Sequence, residues 1–373
     1  MKIFYYFPER DTTNMTLWQR VHFFDELSYH GIEIESFNPL LCNSWDEANN
    51  NALTLLKKGS YDLFFTSVCQ KECLFPDTLQ EIRRMGIPSL CLRFDNLVIP
   101  YYDKELSPFF DLVWLTAKET KRLYDKWGAR TCFAPYAASP YAFKYIELPI
   151  KRELCFIGTP YGSRSRMINA LAKGGIEMTL FYGKSPTNDN DLIEEINPLI
   201  SIPLHNRLGS VFTRLRFREG RVLIHGLVKN RIVGKRDILE CDNLQIEPSV
   251  CLKKLHEVYS QYTLSLASTS AHHTDVLKHP LKIVNLRSFE IPMSGGIEIC
   301  RNNPELAEYF EEGKEIIFYD TMEELVEKAD YYTRKASEQE IRCIKTAARR
   351  RAEGEHTWYH RFSKVLAELG FKI

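Results

Sequence analysis

Residues 154–164 read L-C-F-I-G-T-P-Y-G-S-R, and this stretch decides the fold prediction. Four apolar residues, 154–157, predict a buried strand, and a helical pattern follows over 166–173. A strand, a glycine-containing turn and a helix in this order are typical of the start of a nucleotide-binding α/β unit. The stretch therefore predicts a Rossmann-like half that begins near residue 150.

The same alternation of strand and helix, about every 25 residues, fills the chain before this stretch and resumes after it. Apolar runs that predict strands lie at 3–7, 32–37, 63–65, 89–94, 111–115, 131–133, 178–182, 264–267, 297–300 and 316–319. The alternation breaks at 134–150, which contains three prolines and is interpreted as a linker. Regular alternation of this kind predicts parallel sheets covered by helices on both faces.

We therefore expect an α/β protein with two Rossmann-like parallel-sheet domains. The predicted domains are 1–140 and 150–355, of which the second binds the nucleotide and carries a basic insertion at about 185–250. Ligands of such sheets bind outside the carboxyl ends of the strands.

The overall charge excludes a general preference for polyanions, because 49 basic and 49 acidic residues give a formal net charge of zero. The N-terminal apolar run is too short for a signal sequence, and no run reaches the roughly 18 residues needed to span a bilayer. We expect a cytoplasmic protein, or one that lies peripherally at the inner face of the membrane.

A second informative stretch, 282–300, reads K-I-V-N-L-R-S-F-E-I-P-M-S-G-G-I-E-I-C. Arg287 and Glu290 are three residues apart and share one face of the predicted helix. A guanidinium suits phosphate oxygens, a carboxylate suits the hydroxyls of a ribose, and Gly295 lets a backbone approach a ligand closely. The alternative is a local ion pair on an ordinary helix.

This stretch resembles the C-terminal signature of the CgeB-type (spore maturation) glycosyltransferases, which are similar to group 1 enzymes of the GT-B type. The resemblance continues in P-E-L-A-E-Y-F-E-E-G-K-E-I-I-F-Y at 304–319 and in E-H-T-W-Y-H-R-F at 355–362. In the first half it rests on G-I-P-S-L-C-L-R-F-D-N at 86–96 and on W-G-A-R-T-C-F-A-P-Y-A-A-S-P at 127–140. It covers most of the chain except roughly 185–250.

The resemblance implies that the two domains face a central cleft, with 1–140 on the acceptor side and the C-terminal helix, 356–373, packing back on that domain. It also implies a nucleotide-sugar donor bound mainly by the second domain, without a metal or other cofactor. Glu290 would hold the ribose. The residues that it places around the phosphates are Gly158, Tyr161, Gly162, Arg164, Lys282 and Arg287. For Arg164 the alternative is a solvated arginine in the first turn of a helix.

One departure from the family bears on the mechanism. Many retaining GT-B enzymes carry a second glutamate eight residues before the ribose-binding one, and Lys282 stands at that position here. An inverting enzyme needs a general base for the acceptor hydroxyl. Asp95 is the first candidate, followed by Glu9 and His22; a helix cap for Asp95 and simple packing for His22 are the alternatives.

Two histidines lie in the loop S-T-S-A-H-H-T-D at 268–275. His273 is a candidate donor contact, a residue of a solvated loop or, together with Asp275, a metal ligand. Adjacent residues point apart on regular structure, which disfavours a metal. The D-N-D at 189–191 resembles a metal-binding D-x-D but does not follow a strand, and no metal is expected.

The segment 205–236 is strongly basic, with nine Lys or Arg residues and one acid. Arg214, Arg216 and Arg218 alternate with Leu215 and Phe217, which is a strand-like period. A solvated hairpin, a contact with an anionic membrane or lipid diphosphate, and a nucleic-acid contact are the three interpretations. We favour the first two and expect no nucleic-acid partner.

We therefore predict a glycosyltransferase that moves a sugar from a nucleotide-sugar to a hydroxyl of a glycan or lipid-linked acceptor. Surface polysaccharide or glycoconjugate synthesis is the expected setting. The alternatives are a nucleotide-sugar 2-epimerase, which turns over without an acceptor, and a non-catalytic binding protein on the same scaffold.

Overall fold

The computed structural model describes residues 1–9, 14–98, 100–162, 164–183, 200, 207–233 and 238–372. Contacts divide the chain into two compact units. The first contains the described parts of 1–135, 190–221 and 358–373, and the second contains those of 136–189 and 222–357. Each unit is built on one six-stranded sheet in which every strand pair is parallel.

The sheet of the first unit has the order β2-β1-β3-β4-β5-β6. Its strands are β1 (Lys2–Tyr6), β2 (Glu33–Phe37), β3 (Leu63–Thr66), β4 (Ser89–Arg93), β5 (Leu112–Leu115) and β6 (Thr131–Phe133). The helices of this unit are α1 (Asn14–Gln19), α2 (Asp25–Tyr29), α3 (Trp45–Lys58), α4 (Pro76–Arg84), α5 (Lys121–Trp127), α7 (Arg207–Leu215) and α13 (Trp358–Ala367), and a π-helical turn, Arg20–Phe24, joins α1 to α2. β3, β4 and β5 are buried on both faces, as a parallel sheet requires.

The sheet of the second unit has the order β12-β11-β10-β7-β8-β9. Its strands are β7 (Lys151–Ile157), β8 (Met178–Phe181), β9 (Leu244–Glu247), β10 (Tyr262–Ala267), β11 (Glu298–Arg301) and β12 (Ile317–Tyr319). Its helices are α6 (Arg164–Lys173), α8 (Arg218–Val233, which starts in the first unit), α9 (Leu255–Gln261), α10 (Arg287–Met293), α11 (Met322–Asp330) and α12 (Glu338–Glu355). The chain order reverses between β7 and β10, and such a switch point is where open α/β sheets bind ligands.

The basic segment corrects one prediction. Its alternating arginines indicated strands, but the described residues 207–233 form α7 and α8. Leu223, Gly226 and Asn230 recur at helical spacing and are buried or half-buried, so the helical period decides the structure. The D-N-D at 189–191 lies outside the described residues.

The C-terminal helix α13 belongs to the first unit and packs on its sheet. Trp358 and Phe362 are fully buried. The ring of Phe362 lies 5.5 Å from that of Phe65 on β3 and 5.2 Å from that of Trp114 on β5. Aromatic packing of this kind joins the last helix to the first sheet.

A buried lysine attaches α12 to the sheet of the second unit. Lys345 donates hydrogen bonds to the carbonyl oxygens of Tyr262, at 2.8 Å, and of Ser260, at 2.5 Å. Burial lowers the pKa of Lys345 to about 8. The ammonium group thus satisfies backbone oxygens at the start of β10.

A buried carboxyl group lies on β11. Glu298 accepts a hydrogen bond from the hydroxyl of Ser288 on α10, at 3.1 Å, and its Oε2 has no partner among the described residues. Burial raises the pKa of Glu298 to about 7, although Cys300, Ser288 and the charge of Arg287 oppose the rise. The carboxyl group inside the fold therefore stays mainly protonated up to about pH 7.

Replacing this carboxyl group should change how stability depends on pH. Because the folded pKa of about 7 lies above the ordinary 4.5, folding takes up a proton, and native stability falls as pH rises from 4.5 to 7. Glu298→Gln removes this contribution, so the variant should gain up to roughly 3 kcal/mol relative to the native protein between pH 5 and pH 8. Urea unfolding at both pH values measures the difference. Glu323→Gln, at an exposed position on α11, is the control, and equal pH profiles for native and Glu298→Gln proteins would contradict the account.

Candidate functional site

The turn after β7 is shaped around an arginine from another part of the chain. Gly158 has φ +134°, in the region that favours glycine. A Cβ atom at this position would lie 3.1 Å from Nη2 and 3.4 Å from Nη1 of Arg287. Glycine at 158 therefore lets the guanidinium lie directly against the end of β7.

Arg287 is held in this place by the end of β10. Its backbone N–H donates to Oδ1 of Asn285 at 3.0 Å, and Nδ2 of Asn285 donates to the carbonyl oxygen of Ser268 at 2.8 Å. The buried phenol of Tyr259 lies close by: burial raises its pKa, and the charge of Arg287 opposes the rise. The guanidinium is thus placed at the switch point between β7 and β10.

A second guanidinium comes from the first residue of α6. Arg164 lies 4.2 Å from the ring centre of Tyr161 and donates to the carbonyl oxygen of Thr159 at 3.2 Å. Burial lowers the pKa of Arg164, and the like charge of Arg287 lowers it further. Arginine stays protonated despite such shifts, so two positive charges face one turn. An anion between them would relieve their repulsion.

The same turn contacts the histidine loop. A Cβ atom at Gly162, where φ is +62°, would lie 3.1 Å from Nδ1 of His273. The rings of His273 and Tyr161 meet edge to face at 5.7 Å. The Nδ1 atom of His273 is buried and has no hydrogen-bond partner among the described residues. His273 thus belongs to the same cluster as Tyr161, Gly162 and Arg164.

The other predicted donor contacts differ in what surrounds them. Glu290 is 4% exposed and lies one turn after Arg287 on α10. Lys282 is half-buried and pairs with Ser270 in an isolated antiparallel bridge. The close approach at Gly295 is made by the ring of Tyr145, so packing explains that glycine without a ligand.

The three candidate bases all lie in the first unit. Asp95 is exposed, directly follows β4 and has φ +50°. Glu9 is 3% exposed and forms an ion pair with Arg20, and its Oε2 accepts from Nη2 at 2.5 Å. His22 is fully buried, with its ring 5.6 Å from that of Trp18. Exposure favours Asp95, because a base must reach the proton that it abstracts.

Three residues near the candidate base and the donor site were not predicted from the sequence. Asn96 is fully buried, and its side chain bonds the backbone N–H groups of Thr116 and Ala117 and the carbonyl oxygen of Ala117. Asn285 makes the corresponding link in the second unit. An asparagine next to a strand end or before a helix is the signal that could have identified both. Tyr259 gives no such signal, because only folding brings it to Arg287.

Among the residues that the structure describes, no three His, Cys, Asp or Glu side chains form a group suited to a metal ion. In the same residues, no helix combines the length and apolar character needed to cross a membrane.

Comparison with known proteins agrees with this fold. Residues 212–367 match the family described as "Glycosyl transferase-like". No curated protein matches the sequence with significant similarity.

Several solved structures are similar over the whole chain. Sucrose-phosphate synthase from Thermosynechococcus elongatus shares 12% identity at a TM-score of 0.55, with 99% of this chain and 98% of that chain covered. HepE of Anabaena, in complex with UDP-glucose, shares 12% identity at 0.56, with 99% of both chains covered. An α-glucosyltransferase in complex with UDP shares 12% identity at 0.59, with 100% of both covered.

At such low identity the structural likeness establishes the fold, and the family match supports the class of enzyme. The predicted fold class is confirmed by the two parallel sheets and by the full-length matches. The prediction of a glycosyltransferase is confirmed at the level of the family match. The chain has the GT-B fold, and its residues 212–367 match the family described as "Glycosyl transferase-like".

Proposed function

We propose that this protein transfers a sugar from a nucleoside diphosphate sugar to a hydroxyl group of a glycan or lipid-linked acceptor. The observation that carries the proposal is the approach of two guanidinium groups, those of Arg287 and Arg164, to the turn that follows β7. This turn lies at the switch point of the second sheet, where α/β proteins bind ligands.

The reaction explains why such a site needs positive charge. When the bond between the anomeric carbon of the sugar and the phosphate oxygen of the donor breaks, the leaving nucleoside diphosphate gains negative charge. Guanidinium groups that are already in place stabilise this charge without reorganising. Arg287 is fixed through Asn285 and Gly158, and Arg164 through Thr159. Glu290, one turn further along α10, is the proposed ribose ligand.

The nucleotide proposed for a first test is a uridine nucleotide. HepE and the α-glucosyltransferase were solved with UDP-glucose or UDP, and both share the fold of this chain. The metal-independent mechanism and the CgeB-type assignment stay predictions.

Asp95 is the proposed general base of an inverting reaction. Aspartate with a positive φ is uncommon, and strained residues often occur at functional sites. The buried Asn96 ties the loop after β4 to residues 116 and 117, which stabilises the strained conformation. Lys282 stands where many retaining relatives carry an acid, and this also favours inversion.

The helices α7 and α8 support a peripheral contact with an anionic membrane. Apolar side chains are unusually exposed here: Val211 (42%), Phe212 (64%) and Leu215 (45%) on α7, and Val228 (50%), Ile232 (80%) and Val233 (39%) on α8. Residues 211–233 also contain six Lys or Arg residues and one acid. Apolar side chains among cations are typical of helices that bind anionic lipid surfaces. Such a contact suits a lipid-linked acceptor and surface polysaccharide synthesis.

The donor site is tested by removing its charged groups. We expect UDP to bind the native protein, and Arg287→Gln to weaken binding about 10- to 100-fold, because a charge-assisted hydrogen bond contributes about 1.5–3 kcal/mol. Glu290→Gln should also weaken UDP binding, because the carboxylate proposed to accept hydrogen bonds from the ribose hydroxyls is lost. Titration calorimetry gives the affinities, and Arg342→Gln, at an arginine paired with Glu338 on α12, is the control. Unchanged affinity in both site variants would refute this placement of the nucleotide.

The base is tested by an isosteric change. Asp95→Asn should lower kcat about 10²- to 10⁴-fold while leaving KM for the donor nearly unchanged, because the acceptor proton loses its base. The assay is release of nucleoside diphosphate with an acceptor found by screening glycans. Asp125→Asn, on the exposed face of α5, is the matched control. A kcat equal to that of the control would eliminate Asp95 as the base.

The membrane contact is tested with vesicles of phosphatidylcholine, with and without phosphatidylglycerol. Co-sedimentation should require the anionic lipid and weaken with salt. The double variant Phe212→Ser, Ile232→Ser should bind at least about tenfold less, because each buried apolar side chain contributes about 1.5–3 kcal/mol. Tyr29→Ser, at an exposed apolar residue elsewhere, is the control. Equal binding of neutral vesicles, or a preference for duplex DNA, would contradict the proposal.

A further inference from the structure

A small cavity lies in the second unit at the carboxyl ends of β10, β11 and β12. Its volume is about 60 Å³. Since about 10–15 Å³ of such cavity volume suffices for one water molecule, the cavity has room for an acidic substituent of a few atoms. Its polar lining includes Ser268, Ser270, Asp275 and two arginines, Arg166 and Arg301.

The charges of this lining favour an anion. Arg166 and Arg301 are both half-buried. Among the described residues, neither guanidinium has a hydrogen bond or an ion pair. Asp275 is the only acid among the described residues of the lining, which therefore carry an excess positive charge. A cation that has lost part of its water without gaining a partner is unfavourable, and a bound anion would correct this.

This positive charge is separate from the one at the diphosphate site. Arg164 and Arg166 lie in the first turn of α6, but residues two apart on a helix do not face each other. Arg164 bonds Thr159 and lies over Tyr161, whereas Arg166 lines the cavity. The first turn of α6 therefore places one cation at the diphosphate site and another at the cavity.

The cavity nevertheless adjoins the diphosphate site. Ser268 lines the cavity, and its carbonyl oxygen accepts the hydrogen bond from Asn285, whose Oδ1 in turn accepts from the backbone of Arg287. One side chain thus links the cavity wall to the backbone of the arginine that is proposed to bind phosphate. In a nucleotide-sugar, the group attached to the last phosphate is the sugar.

Apart from Thr269, the other lining residues are apolar and suit the carbon atom that carries an acidic group. Met167, Tyr319 and Met322 form this part. The hydroxyl of Tyr319 is already used, because it donates to the sulfur of Met167 at 2.8 Å. An apolar wall beside two cations fits an acidic group together with the carbon atom that carries it.

We propose that this cavity binds a carboxylate carried by the donor sugar, so that the protein prefers a uronic acid donor over a neutral hexose donor. The inference rests on the proposed donor site. Arg166 and Arg301 are then the residues that determine specificity, and Arg287 and Arg164 bind the diphosphate common to all donors.

The test compares the affinities of UDP, UDP-glucose and UDP-glucuronic acid by titration calorimetry. The native protein should bind UDP-glucuronic acid at least about tenfold more tightly than UDP-glucose, the order expected for a charge-assisted hydrogen bond. Arg301→Gln and Arg166→Gln should each reduce this preference while leaving the affinity for UDP unchanged. Arg301→Lys, which keeps the charge, should retain part of the preference.

Other outcomes overturn the inference in distinguishable ways. Equal affinities for the two sugar nucleotides in the native protein, or a preference that survives both glutamine variants, would refute the carboxylate site while leaving the donor site intact. Competition by millimolar inorganic phosphate against UDP-glucuronic acid but not against UDP would support the site. Failure of UDP itself to bind would refute the donor site and the inference with it. Melting temperatures of the variants within about 2 °C of native show that the fold is preserved.

Discussion

The close approach of the Arg287 guanidinium to the backbone of Gly158 is the contact on which the account of this protein depends. It needs a residue without a side chain at the end of β7 and an arginine at the start of α10. These two features lie far apart in sequence, and the adjacency of β7 and β10 brings them together. The result is a positive charge held at the switch point of the sheet, where a ligand can reach it.

Each unit holds its functional loop with a buried or half-buried asparagine. Asn96 joins the loop after β4 to the loop after β5, and Asn285 joins the start of α10 to the end of β10. Among the described residues, the only non-glycine residues with positive φ are Asp95 and His272, and each lies in a loop that follows a parallel strand. The residues with strained backbone, and the asparagines that hold the loops, thus lie at the strand ends where catalytic or binding residues are expected.

Much of the fold could be predicted from the sequence, because parallel strands that are buried on both faces leave continuous apolar runs. The runs that became β3, β4 and β10 are of this kind. β9 was missed because its residues are mostly exposed and leave no such run. The helices α7 and α8 were misinterpreted because alternating arginines imitate a strand.

In the candidate site, too, the sequence predicts what depends on neighbouring residues but not what depends on contacts between distant parts of the chain. The sequence indicated Arg287, Glu290 and Arg164, because residue type and helical spacing are local properties. The contact of Arg287 with Gly158 depends on which strands are neighbours, and so does the position of Tyr259. The glycine at 295 was interpreted as a ligand contact, whereas the ring of Tyr145 occupies that space. Local patterns name candidate side chains, and only the tertiary structure shows what faces them.

The most direct test of the central claim is a crystal structure of the protein grown with UDP. The account predicts that the diphosphate oxygens lie within hydrogen-bond distance of the Arg287 guanidinium, beside the turn from Gly158 to Gly162. A nucleotide bound elsewhere, with Arg287 still packed on Gly158 and without contact to phosphate, would contradict it.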